Sequence, residues 1–188
     1  MGATGWSYFV PFQDDVQKAL DELREKVFAE GRYEHPGSFD ADQHEQRLAF
    51  LKSVYEKLPP GERRDHALQF VEAAREAGNQ LRKRKKPRPA KNIKQLLRQC
   101  GESGTHSIID IDRVSLTPAF GAVSPLSPQQ LLDFFDTEQP THEMLEAWSK
   151  RVDSMETAPL YERWQGICVI VYENLKPAEI YFEGCSGD

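Results

Sequence analysis

The stretch Gly104-Thr105-His106-Ser107-Ile108-Ile109-Asp110-Ile111-Asp112-Arg113-Val114 holds the residue types best placed for chemistry. Its β-branched content and its Ile-Asp-Ile-Asp alternation predict a strand over 107–114. On a strand, residues two apart share a face and lie about 6.5–7 Å apart. His106, Ile108, Asp110 and Asp112 then line one face, with Ile109 and Ile111 on the other. An imidazole beside two carboxylates suits a divalent cation or general acid/base catalysis. Glu179 and Glu183 share a face of a second predicted strand, and they join the first three if the two strands are neighbours. The plainer reading makes Asp110 and Asp112 the wet face of an amphipathic strand, paired with Arg113 or with lysines.

Other catalytic signatures are missing. The chain has no glycine-rich phosphate loop of known spacing, no Cys-x-x-Cys pair and no His-Glu-x-x-His. Gly104-Thr105-His106-Ser107 lacks the glycine spacing of a nucleophile elbow. Of three cysteines, Cys185 near the chain end looks accessible, Cys100 falls at a helix end and Cys168 in a buried strand; no local motif links a histidine to any of them. The sequence therefore calls for no cofactor and no metal beyond what the acidic candidates would take. An odd cysteine count argues against a disulfide framework and for a reducing, cytoplasmic setting.

The elements around these residues follow from pattern. With 188 residues, 39% of them hydrophobic, the chain suits a single domain spanning 1–188 with its own core. No apolar run is long enough to span a bilayer, so no membrane partner is expected. Trp6–Phe12 reads as a short strand. Asp14, with Gln17 three residues on, reads as the cap of a helix carrying Val16, Ala19, Leu20, Leu23 and Val27 inward and stopping at Gly31. Asp40 and Gln43 repeat the cap logic for a second helix striped by Leu48, Leu51, Val54, Tyr55 and Leu58. A third helix, about Glu62 to Leu81, uses Ala67, Leu68, Phe70, Val71 and Ala74. These two form an antiparallel hairpin that, with the basic stretch after it, reads as an insertion over 40–91.

In the second half, Asn92–Cys100 reads as a short helix stopped by Gly101, and Phe120–Val123 as a short strand. Ser127-Pro128-Gln129-Gln130 is a strong helix start. A further helix opens at Thr141 with Met144, Leu145, Trp148, Val152 and Met155 on one stripe. Ile167–Tyr172 is apolar on both alternating faces, as for a central strand covered on both sides. A turn at Glu173–Pro177 joins it to Glu179–Glu183. The expected fold is α+β: an antiparallel sheet of four to five strands packed with helices, plus the inserted helical hairpin, with the opening strand free to close the same sheet.

Charge is unevenly spread. Arg82, Lys83, Arg84, Lys85, Lys86, Arg88 and Lys91 are seven of the 24 Lys and Arg, with no acid among them; the remainder carries 17 positive against 30 negative charges, a net of −13. Pro87 and Pro89 favour an extended path there. A solvated linker, a phosphate-contacting arm for nucleic acid, and a nuclear-import signal all fit such a run. No aromatic interrupts it to stack bases, and the acidic remainder opposes a polyanion.

Gly5-Trp6-Ser7-Tyr8-Phe9-Val10-Pro11-Phe12, Phe28-Ala29-Glu30-Gly31-Arg32-Tyr33, Phe120–Leu126 and Glu179-Ile180-Tyr181-Phe182-Glu183-Gly184 together resemble a group of small bacterial proteins. The resemblance covers both ends and part of the second half, not the stretch from Asp40 to Lys91. It implies a bacterial cytosol and brings no known function and no catalytic residues. The leading expectation is a small cytoplasmic protein-interaction module, immunity- or inhibitor-like, with a protein partner. The alternatives are an enzyme using His106, Asp110 and Asp112, and a nucleic-acid-associated protein using residues 82–91.

Overall fold

The computed structural model describes residues 4–34, 41–83, 88–154 and 158–186, with the side chains of 41–43 and 81–83 left aside. The chain divides into two compact units, one formed by residues 1–35 and 90–188, the other by 36–89.

The larger unit is built on a five-stranded sheet in the order β1-β5-β4-β3-β2. The strands are β1 (Thr4–Pro11), β2 (Arg113–Val114), β3 (Ala122–Pro125), β4 (Gln165–Glu173) and β5 (Lys176–Ser186). β4 and β5 form a hairpin, and β1 pairs antiparallel with β5 from Thr4 opposite Ser186 to Pro11 opposite Glu179. The expected all-antiparallel sheet is corrected here: β3 runs parallel to β4, and β2 parallel to β3. The reason is topological. β3 reaches β4 through two helices rather than a tight turn, and a helical crossover is what allows parallel neighbours.

Helices cover both faces. On one face α1 (Val16–Ala29) and α4 (Ile93–Cys100) pack with Trp6, Ile180, Phe182, Cys168 and Val123. On the other, α5 (Pro128–Phe135) and α6 (His142–Asp153) pack with Ile167, Val169, Val171 and Tyr181. Coverage on both sides explains why β4 is apolar on both faces from Ile167 to Val171. Trp6 lies across Gly166 and Gly184, whose missing side chains leave the room its ring fills. The Trp6 indole N–H donates to Ser186 Oγ at 3.3 Å, and Ser186 Oγ donates to the Ser107 carbonyl at 3.2 Å. This buried chain of bonds ties β1 and β5 to the turn at Ser107.

Local chemistry sets the helix ends. Ser127 Oγ accepts the Gln130 amide while the Gln130 side chain accepts the Ser127 amide, the full reciprocal box. Asn92 caps α4 and Gly101, at φ 57°, ends it. For α1 the cap is Asp15, which accepts from Lys18 N, rather than Asp14. Gln17 instead bridges α1 to the sheet edge: its Oε1 accepts from Val114 N at 2.8 Å and its Nε2 donates to the Asp112 carbonyl at 3.3 Å. In α6, Leu145 and Trp148 are buried, whereas Met144 is exposed; Met155 lies outside the described residues.

The smaller unit is a pair of helices, α2 (Ala41–Tyr55) and α3 (Glu62–Lys83). Leu48 and Val71 are its buried apolar residues, and Arg75 bridges Glu45 at 3.0 Å and Glu72 at 2.9 Å. Phe50, Val54, Leu58 and Phe70 are exposed, so the stripe expected from spacing is narrower than drawn: two helices alone cover only one seam. The proposed cap at Asp40 lies outside the described residues, as do residues 84–87 of the basic run. Arg82 and Lys83 belong to α3, while Arg88 and Lys91 are exposed.

Candidate functional site

The stretch expected as a strand over 107–114 is not one. Ile108–Asp110 is a 3-10 turn, and only Arg113–Val114 pairs in the sheet. His106 opens the turn at φ 54°. Ser107 Oγ accepts from Ile109 N at 3.3 Å, and both Asp110 oxygens accept the Thr105 amide, at 2.8 and 2.9 Å. Short polar side chains here satisfy the backbone locally, which competes with strand pairing. Ile108, Ile109 and Ile111 are all fully buried, so the alternation that suggested two faces does not describe this segment.

The acidic candidates are consequently dispersed. Asp110 is a backbone tether. Asp112 is exposed and sits 3.1 Å from Arg113. His106 Nδ1 is 2.8 Å from Thr4 Oγ1, and its Nε2 lies 3.6 Å from Glu34. Glu179 pairs with His142 at 2.7 Å, where the His142 ring stacks on Phe9 with centroids 3.9 Å apart. The Glu179 hydrogen bond raises the His142 pKa. Among the described residues no three His, Cys, Asp or Glu side chains form a group able to hold a metal. The thiols are suppressed: burial pushes Cys100 up to about 11 and Cys168 up to about 12, and raises Cys185 as well. Cys185 donates to the Glu162 carbonyl at 3.7 Å.

Glu183 is the exception. It stands on β5 opposite Ser7 of β1 and Ile167 of β4, and is 2% exposed. Trp148 of α6 donates its indole N–H to Glu183 Oε2 at 3.0 Å. Tyr161, from the segment before β4, lies close enough to this carboxyl to favour its charged form. The Tyr181 hydroxyl is buried beside Glu183, Ser7 and Ser149, close enough to be felt, yet without a hydrogen bond of good geometry to any of them. No cation is paired with Glu183 among the described residues, and Asp153 adds repulsion. Burial pushes its pKa up to about 7, against the lowering by the Trp148 hydrogen bond and the nearby tyrosine hydroxyls. The same burial, together with the Glu183 charge, raises Tyr161 and Tyr181. Alternation on β5 gave Glu183 no distinction from Glu179. The usable signal was β4: a neighbour that is apolar on both faces implies that both faces of β5 are covered too.

The surface over the same sheet face carries a different pattern. From Val114 to Ser149 there is no Lys or Arg, and five acids, Asp133, Asp136, Glu138, Glu143 and Glu146, are all exposed. They lie on or between α5 and α6, among the partly exposed apolar side chains of Leu132 (41%) and Met144 (39%). Charge also separates between the two units: 12 Lys and Arg against 22 Asp and Glu, net −10, in the larger, and 12 against 8, net +4, in the smaller. Among the described residues no helix is long and apolar enough to cross a membrane.

No protein-family model, curated protein or solved structure matches this chain.

Proposed function

We propose that the protein is an interaction module whose larger, acidic unit docks on a basic surface of another protein, in the manner of an immunity or inhibitor protein. The observation that carries this reading is the stretch 114–149, 36 consecutive residues without Lys or Arg that take in α5 and the first turns of α6 and present five exposed carboxylates; Lys150 and Arg151 follow in the last turn of α6, with Lys150 3.4 Å from Glu146. Interspersed Leu132 and Met144 suit the aliphatic stems of Lys and Arg side chains on a partner. Such a field speeds encounter and sets specificity more than it sets affinity. The dispersal of His106, Asp110 and Asp112 leaves the acid/base reading through those residues without a shared site. The nucleic-acid reading depends on residues 82–91, of which 84–87 lie outside the described residues.

The test is affinity capture from the source cell, run with the native chain, with D133K/D136K/E143K, and with E62K/D65K on α3 as the control. A partner held through the α5–α6 surface is lost with the first triple variant, kept with the control, and released by moderate salt. Capture that is indifferent to the triple variant and to salt refutes the reading.

A further inference from the structure

Within the larger unit, three stretches enclose a cleft of about 350 Å³: the loop after β2 at Leu116 and Pro118, the β3–α5 junction, and the segment before β4 at Leu160 and Tyr161. Ile167 of β4 lines it from the sheet side. That volume falls within the range of small-molecule sites. The described residues lining it are Pro, Leu, Ile, Tyr, Gly, Ser and Gln, and none is charged.

Ser124 supplies an independent sign of a ligand. It stands on β3 in register with Ile167, so its side chain shares the cleft's face of the sheet. Ser124 is 4% exposed, and its Oγ has no hydrogen-bond partner among the described residues. A buried hydroxyl left unpaired costs about 1–3 kcal/mol. Alanine would fill the same place on the strand without that cost. The α5 N-terminus borders the cleft too, but does not make it an anion site. The Ser127 and Gln130 amides are taken up by the capping box, and Pro128 has no N–H, which leaves only the Gln129 amide of the first turn. A charged ligand would therefore be desolvated against walls that offer no counter-charge among the described residues lining the cleft.

We propose that this cleft binds a small, uncharged, largely apolar molecule through a carbonyl or hydroxyl oxygen hydrogen-bonded to Ser124 Oγ. Tyr161 forms one wall. The proposal is independent of the acidic docking surface.

The test uses the ¹⁵N-labelled full chain, titrated in parallel with benzamide, benzoate and benzylammonium. Benzamide shifts the Ser124, Tyr161 and Ile167 amides saturably, while the two ions leave them in place. S124A keeps the fold, is at least as stable as the native chain, and binds benzamide about fivefold more weakly. Three outcomes overturn the proposal: no saturable shift with benzamide, equal shifts with benzoate or benzylammonium, or unchanged benzamide affinity in a folded S124A.

Discussion

Glu183 makes the stability of this protein fall as pH rises, and E183Q abolishes most of that fall. Its carboxyl titrates near 7 in the fold against an ordinary value of 4.5, so between these two pH values the native state holds a proton that the unfolded chain has lost. The slope of unfolding free energy with pH is then negative across pH 4.5–7 and levels off above. Taken in full, the shift corresponds to about 3 kcal/mol, most of which develops between pH 5 and pH 8. Gln keeps the size and the acceptor for the Trp148 indole and carries no charge to desolvate. Urea unfolding followed by tryptophan fluorescence at pH 5 and pH 8 measures both proteins. The expected result is that E183Q is within about 1 kcal/mol of the native chain at pH 5 and about 2–3 kcal/mol more stable at pH 8. His142, whose pKa is raised by Glu179, also loses its stabilising contribution as pH rises, and E183Q leaves that residual slope in place. An unchanged pH slope in E183Q refutes the reasoning, because the only group removed would then have contributed nothing to it.

Other expectations follow from local geometry. In E179Q the His142 titration, followed by its ring proton NMR signals, moves down toward the ordinary 6.5, since the Glu179 hydrogen bond is the main cause raising it. Asn174 and Leu175 form the two-residue β4–β5 turn at φ 50° and 62°, and Leu175 is 81% exposed. L175G therefore relieves a left-handed leucine without emptying any core and raises stability by about 0.5–1 kcal/mol in urea unfolding. G184A forces a methyl group into the Trp6 ring and the Gln165 carbonyl, and costs about 3 kcal/mol by the same assay. D110A strips the Thr105 amide of its acceptor and costs about 1–3 kcal/mol, the mark of a tether rather than a reaction group.

Most of what depends on bonds between residues three or four apart was legible in the chain itself, although the α1 cap falls on Asp15 and not Asp14. The Ser127–Gln130 box, the Asn92 cap with Gly101 beyond it, and the spacing of Ala19, Leu20, Leu23 and Val27 in α1 are decided within a turn or two of helix. The doubly apolar β4 likewise announces a strand covered on both sides. The same local reasoning misled at Ser107–Val114, because alternation there competes with side-chain bonds from Ser107 and Asp110 that curl the backbone first. Pairing and burial are another matter. That β1 closes on β5 across the full length of the chain, and that β3 lies parallel to β4, depends on which distant surfaces fit together. Glu179 and Glu183 show the difference most plainly. They are four residues apart on one strand and identical in type, yet one meets His142 at the surface while the other lies under Trp148 and Tyr161. A carboxyl's acidity is set by what covers it, and the covering groups come from α6 and the segment before β4, so only the folded arrangement assigns Glu183 its character.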